Sequence, residues 1–168
     1  MIYTLASPND LKGVSFNCGN EFIDKYYQEN KIFSDNDAVT YCFWSDEGKQ
    51  DLVGIASLSC SGIIIKSHEQ FNITPAIEIK IFAVDERFQH VKFPDDDTTE
   101  NWSDYCAFYL MEIIDNICSY CGASHIVLYS VPAAVKFYTR HHFHKFESLM
   151  AQPSNLYIDE CIPMFMNL

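Results

Sequence analysis

Several groups of side chains in this sequence have types and spacings suited to chemistry. Glu78 lies in the stretch Ala76 to His90, where Ile77, Ile79 and Ile81 alternate with polar residues. As a strand, this stretch turns the carboxylate away from the isoleucine face. A carboxylate there suits a proton acceptor, and equally a solvated or lysine-paired side chain, with a relayed water taking the proton instead. Cys118 and Cys121 have the spacing of a redox or zinc pair, but they close an amphipathic helical pattern with no second pair nearby, which fits ordinary thiols. His141, His142 and His144 crowd one short segment and fit a solvated turn. Asp95, Asp96 and Asp97 lack calcium-loop spacing, and Cys60-Ser61-Gly62 offers no nucleophile context, so no metal is expected.

The charge balance narrows the ligand. A formal charge of −12 and a pI near 4.7 repel phosphate backbones and anionic membranes, so neither nucleic acid nor membrane is an expected partner. Against that background, Lys80, Arg87, Lys92, Lys136, Arg140 and Lys145 place 6 of the 11 basic residues between positions 80 and 145. An anionic ligand would be met there.

With 168 residues, 48% hydrophobic and 20% charged, the chain fits a single domain, 1–168, able to bury its own core. Seven cysteines, with Cys42, Cys60, Cys106 and Cys118 inside apolar periodic segments, suit reduced core thiols and hence a cytoplasmic location. Met-Ile-Tyr-Thr-Leu-Ala lacks the basic start and long apolar run of an export signal, and no stretch approaches the roughly 18 apolar residues of a membrane span.

The elements that must position these residues follow from periodicity. Met1 to Ala6 alternates as a strand, and Ser7 to Asp10 is a turn or helix start. A helix follows the turn-rich Phe16 to Asn20, with an aromatic face of Phe22, Ile23, Tyr26, Tyr27 and Phe33, and Ser34 to Asp37 breaks it. Val39 to Trp44 and Leu52 to Ile65 form a hairpin around Asp46 to Lys49, and His68 to Thr74 is expected as loop. Beyond the strand from Ala76, the acidic stretch between Val91 and Trp102 is loop, and Ser103 is expected to cap a helix ending at Gly122. His125 to Ser130 is a buried strand, Pro132 opens a helix ending near Arg140, and Phe143 to Met150 and Cys161 to Leu168 are two closing strands separated by the turn Gln152 to Asn155.

This order, together with Phe82-Ala83-Val84-Asp85 at a strand end and Phe137-Tyr138 on a later short helix, resembles the GNAT superfamily of acyl-CoA N-acyltransferases. The resemblance covers nearly the whole chain. It implies an α/β (α+β) GNAT fold: a mixed, mostly antiparallel twisted sheet of about seven strands flanked by about four helices. It implies acetyl-CoA as co-substrate, a small-molecule or peptide primary amine as acceptor, and a homodimer as one compatible assembly. Carried onto this chain, the main-chain groups of Phe82, Ala83 and Val84 would hold pantetheine, Tyr138 would protonate the departing thiolate, and Glu78 would be the base. Gln89, His90, Lys92, Ser103 and Arg140 would meet the phosphates.

At one place the sequence departs from the family. Where the family carries a glycine-rich turn for the diphosphate, Gln89 is followed by His90-Val91-Lys92-Phe93-Pro94 and three aspartates, in a segment about a dozen residues longer than the family pattern. Two outcomes stay open. Either these side chains, helped by the helix start, still reach a diphosphate, or the loop covers the cofactor cleft and the domain binds a partner without turnover. The segment Phe16 to Asp24 also looks like its counterpart in the superfamily branch that acetylates aminoacyl-tRNA, a third function that the acidic charge opposes.

Overall fold

The computed structural model describes residues 1–34, 36–67, 70–95, 97–151 and 160–168. Among these, eight strands and four α-helices occur in the order β1 (Ile2–Leu5), α1 (Glu21–Gln28), α2 (Lys31–Ser34), β2 (Val39–Trp44), β3 (Leu52–Ser67), β4 (Gln70–Val84), α3 (Trp102–Cys121), β5 (His125–Ser130), α4 (Val135–Arg140), β6 (His144–Lys145), β7 (Met150–Ala151) and β8 (Ile162–Asn167). A 3-10 turn, Pro132–Ala134, precedes α4. The sheet order is β1-β2-β3-β4-β5-β8-β6, with β7 on β3. β4 and β5 pair in parallel, whereas β1–β2, β2–β3, β3–β7, β5–β8 and β6–β8 are antiparallel. This is the expected mixed α+β sheet, with eight strands in place of about seven. No helix among the described residues is long and apolar enough to cross a membrane.

Contacts group the chain into two compact units, Met1–Leu58 with Ile81–Ile113, and Ser59–Lys80 with Ile114–Leu168. In the first unit, Leu11, Phe16, Tyr27, Ile32, Trp44 and Leu52 are part of one buried cluster. The expected early helix is two helices here, because Asn30 takes a left-handed φ of 56° and ends the hydrogen-bonded run. Tyr27 and Ile32 are buried, but Phe22 sits at the edge of the apolar stripe and is 57% exposed. α3 begins at Trp102, so Asn101 takes the capping position, two residues before the expected Ser103, and Ser103 is inside the helix.

In the second unit, Ile63, Ala76, Val127 and Phe165 form the core, with Ile65, Phe146 and Met150 packed against it. The loop expected over 68–74 is strand from Gln70 onward, while His68 and Glu69 lie outside the described residues. Exposed Phe71 and Ile73 still alternate there, and Pro75 precedes the ladder with β5, where its missing N–H is not required. The strand expected over 143–150 divides into β6 and β7, because a turn with Met150 N–H on Glu147 O sends them to different partners, β8 and β3. The turn expected at 152–155, and Tyr157, lie outside the described residues. Gly122, at φ 69°, donates to Cys118 O and ends α3 as expected. All seven thiols are free, but Cys60 is exposed and not a core thiol, because it faces opposite to Ile63 on β3.

Candidate functional site

In the first unit, β4 ends at Val84 and the chain turns through residues 85–90. The parallel ladder with β5 spans Ala76↔His125 to Ile79↔Leu128, so β4 continues five residues past it. Every main-chain N–H from Asp85 to Gln89 has an acceptor inside this unit. Asp85 donates to Val53 O (2.8 Å), Glu86 to Asn17 O (2.8 Å), and Phe88 and Gln89 to Asp85 O (2.9 and 3.2 Å). Arg87 N–H donates to Asp85 Oδ1 at 3.1 Å. Gln89 Nε2 donates to both Cys18 O (2.9 Å) and Val84 O (2.8 Å).

Asp85, 4% exposed, anchors this turn. Burial disfavours its charge, but Arg87 Nε at 2.8 Å and the N–H groups of Asn17 and Arg87 outweigh that and hold the carboxyl below its ordinary range. The stabilisation from a depressed carboxyl is complete above the unfolded value, about pH 4, and is lost as pH falls through the lower folded value. Asp85→Asn should therefore be less stable at neutral pH and lose less further stability below about pH 4, as read from urea midpoints at several pH values.

The segment 16–24 clasps this turn. Phe16 is buried at 3%, Asn17 Nδ2 donates to Glu86 Oε2 (2.8 Å), and Cys18 N–H donates to Asp24 Oδ1 (2.7 Å). Asn20 Oδ1 accepts the N–H groups of Phe22 and Ile23 and so caps α1. Gly19 takes a φ of 79°, and a Cβ there would stand 2.5 Å from Glu86 Oε1. Gly19→Ala should cost about 1–3 kcal/mol of stability, measured by denaturant titration.

Beyond the turn, the loop closes on itself. Lys92 bridges Asn101, Phe93 N–H donates to Glu100 O (2.9 Å), and the Phe93 ring stacks on Tyr105 with centroids 3.8 Å apart. The start of α3 is also occupied: Trp102 N–H donates to Val91 O, and those of Asp104 and Tyr105 to Asn101 O. Buried Asp104 returns the contact, its Oδ2 accepting Asn101 N–H at 3.0 Å. His90, at φ 59°, and Lys92 are exposed, and Ser103 is half-buried.

In the second unit, Glu78 is half-buried and faces β5 at Val127. Two residues further, Tyr129 is pushed up to about 12, by burial first and then by the Glu78 charge. Sequence reasoning passed over Tyr129, although its place in phase with Val127, opposite Glu78, was legible. Tyr138 lies on α4, edge-on to Phe143 at 5.7 Å, and Phe143 N–H donates to Tyr138 O. The residue is half-buried, but its hydroxyl is desolvated, which raises the phenol above its ordinary value. That hydroxyl has no hydrogen-bond partner among the described residues. The Arg140 guanidinium lies 5.5 Å over the Phe137 ring. His142, at φ 67°, closes the turn after α4 with its N–H on Thr139 O.

No family model matches the sequence, and no curated protein matches it either. Solved structures match over almost the whole chain. A bacterial toxin is 18% identical with a TM-score of 0.70, covering 99% of this chain and 90% of that one. AtaTR bound with acetyl-CoA is 12% identical with a TM-score of 0.71, covering 98% and 93%. AtaT complexed with acetyl-methionyl-tRNAfMet is 12% identical with a TM-score of 0.66, covering 96% and 94%. The chain has the GNAT fold.

In a GNAT fold, a diphosphate requires main-chain N–H groups that are still without acceptors at the turn after β4. Here those of 85–89 are already spent, and after Gln89 the N–H groups of Val91, Phe93 and Asp95 donate to Phe88 O, Glu100 O and Phe93 O; Arg87 is paired with Asp85 and Asp51, while Lys92 is exposed. The main chain of the turn as built does not fit a diphosphate, which leaves the Lys92 side chain as the cation that could meet one. The extension of β4 beyond its ladder with β5, Lys80 to Val84, is strand-like main chain, the form with which an extended pantetheine arm pairs, and within it Val84 O already accepts from Gln89 Nε2.

Proposed function

We propose that the chain is an N-acyltransferase that moves an acetyl group from acetyl-CoA to a primary amine by direct attack. The observation that carries this is the Tyr138 phenol: desolvated, without a partner among the described residues, and seated on the short helix after β5 of a GNAT fold. An unpartnered buried hydroxyl is costly, and a departing thiolate is the partner it suits. A raised phenol stays protonated at neutral pH and is a competent donor. A neighbour of this fold is solved with acetyl-CoA, which supports the donor.

In this chemistry the neutral amine forms the C–N bond as the C–S bond breaks, the sulfur takes the Tyr138 proton, and the amine's surplus proton leaves to Glu78. Glu78 suits this role because it is half-buried and makes no ion pair among the described residues. Glu78→Gln is expected to lower kcat by on the order of 10²-fold with KM for the thioester unchanged, and an unaltered rate would pass the proton to water.

A second acceptor is aminoacyl-tRNA, favoured by the AtaT complex with acetyl-methionyl-tRNAfMet and opposed by the charge of −12. The test is amine-dependent thiol release from acetyl-CoA, with small amines, peptides and aminoacyl-tRNA as separate acceptor sets. Turnover with any set upholds the acyltransferase and names its acceptor class. No turnover and no acetyl-CoA binding would leave a GNAT domain that serves as a partner-binding module.

A further inference from the structure

The turn that should grip the donor's nucleotide is spent on the protein itself. Between Asp85 and Asp104 the sequence holds seven carboxylates against two cations, Arg87 and Lys92. Of those cations, Arg87 is held by Asp85 and Asp51 at 2.8 and 2.9 Å. The position at the start of α3 where an anion would gain most already holds the buried Asp104 carboxylate. Freeing the N–H groups of 85–89 would break the hydrogen bonds to Val53, Asn17 and Asp85 and would release the two bonds of Gln89 Nε2. A diphosphate drawn into this acidic segment would meet repulsion from most of its side chains and one exposed ammonium, Lys92, that no carboxylate holds among the described residues.

We infer that donor recognition in this chain rests on the pantetheine arm and the thioester, and that the nucleotide of acetyl-CoA adds little to binding. The inference rests on the acyltransferase reading above, and it enlarges the donor class to short pantetheine thioesters that lack the adenosine phosphates. It also accounts for the loss of glycine: a turn that holds no phosphate needs no close main-chain approach, and side chains such as His90 and Lys92 can occupy it.

The experiment is calorimetric titration of the purified full chain with acetyl-CoA and with S-acetyl-pantetheine, each at low and high salt. The expected result is two Kd values within about fivefold of each other, and an acetyl-CoA affinity that does not weaken as salt rises. An acetyl-CoA Kd more than about fivefold lower, with affinity falling at high salt, would overturn the inference and mean that the turn opens to hold the phosphates, leaving the acyltransferase intact. Binding of neither compound would remove both the inference and the acyltransferase.

Discussion

Tyr138→Phe lowers kcat for acyl transfer by on the order of 10²-fold or more and leaves thioester affinity unchanged. The substitution removes one oxygen from a ring held edge-on against Phe143, so packing is kept. It breaks no hydrogen bond among the described residues, and it removes a desolvated hydroxyl, so thermal stability should hold or rise slightly. A residue that served only the core would show no fall in kcat, because phenylalanine keeps its packing. Because burial raises the phenol, its ionisation should produce no loss of activity below about pH 10. A pH profile of kcat checks this alongside melting curves.

Phe143→Ala should be the most damaging substitution near this residue for stability. Phe143 is 2% exposed and supports the Tyr138 ring. Truncation of a buried phenylalanine costs about 3–5 kcal/mol, which a urea or guanidinium titration resolves readily. The same cavity frees Tyr138 to rotate, so kcat should fall in the fraction that remains folded. Phe143→Leu, which keeps most of the volume, should recover most of both.

The elements around Tyr138 were legible because their signals are local. Pro132 opens the turn, α4 ends at Arg140, and the helix stop at Gly122 is fixed by a φ that glycine takes without cost. The β2–β3 hairpin was legible from alternation and a polar turn. By contrast, the division of residues 143–150 into β6 and β7 depends on which distant strand each piece meets, and no local pattern carries that. The start of α3 was misplaced by two residues because Asn101 and Ser103 are both good caps, and the choice falls to Asp104, which reaches back to Asn101 N–H. The missing glycines were plain in the sequence, but their meaning was not. Only the hydrogen bonds of 85–89 to Val53, Asn17 and Asp85 show that the turn is closed by the chain itself. The bonds from Asn17 and to Cys18 give the segment 16–24 a structural role, as the clasp on that turn.

The measurement that bears most directly on the central claim is the rate of amine-dependent thiol release from acetyl-CoA by the wild-type chain and by Tyr138→Phe, at saturating acceptor. The account predicts release by the wild type and a fall of on the order of 10²-fold in the variant, with KM for acetyl-CoA unchanged. Release at equal rates by both proteins would contradict it, because the proton on the departing sulfur would then come from elsewhere.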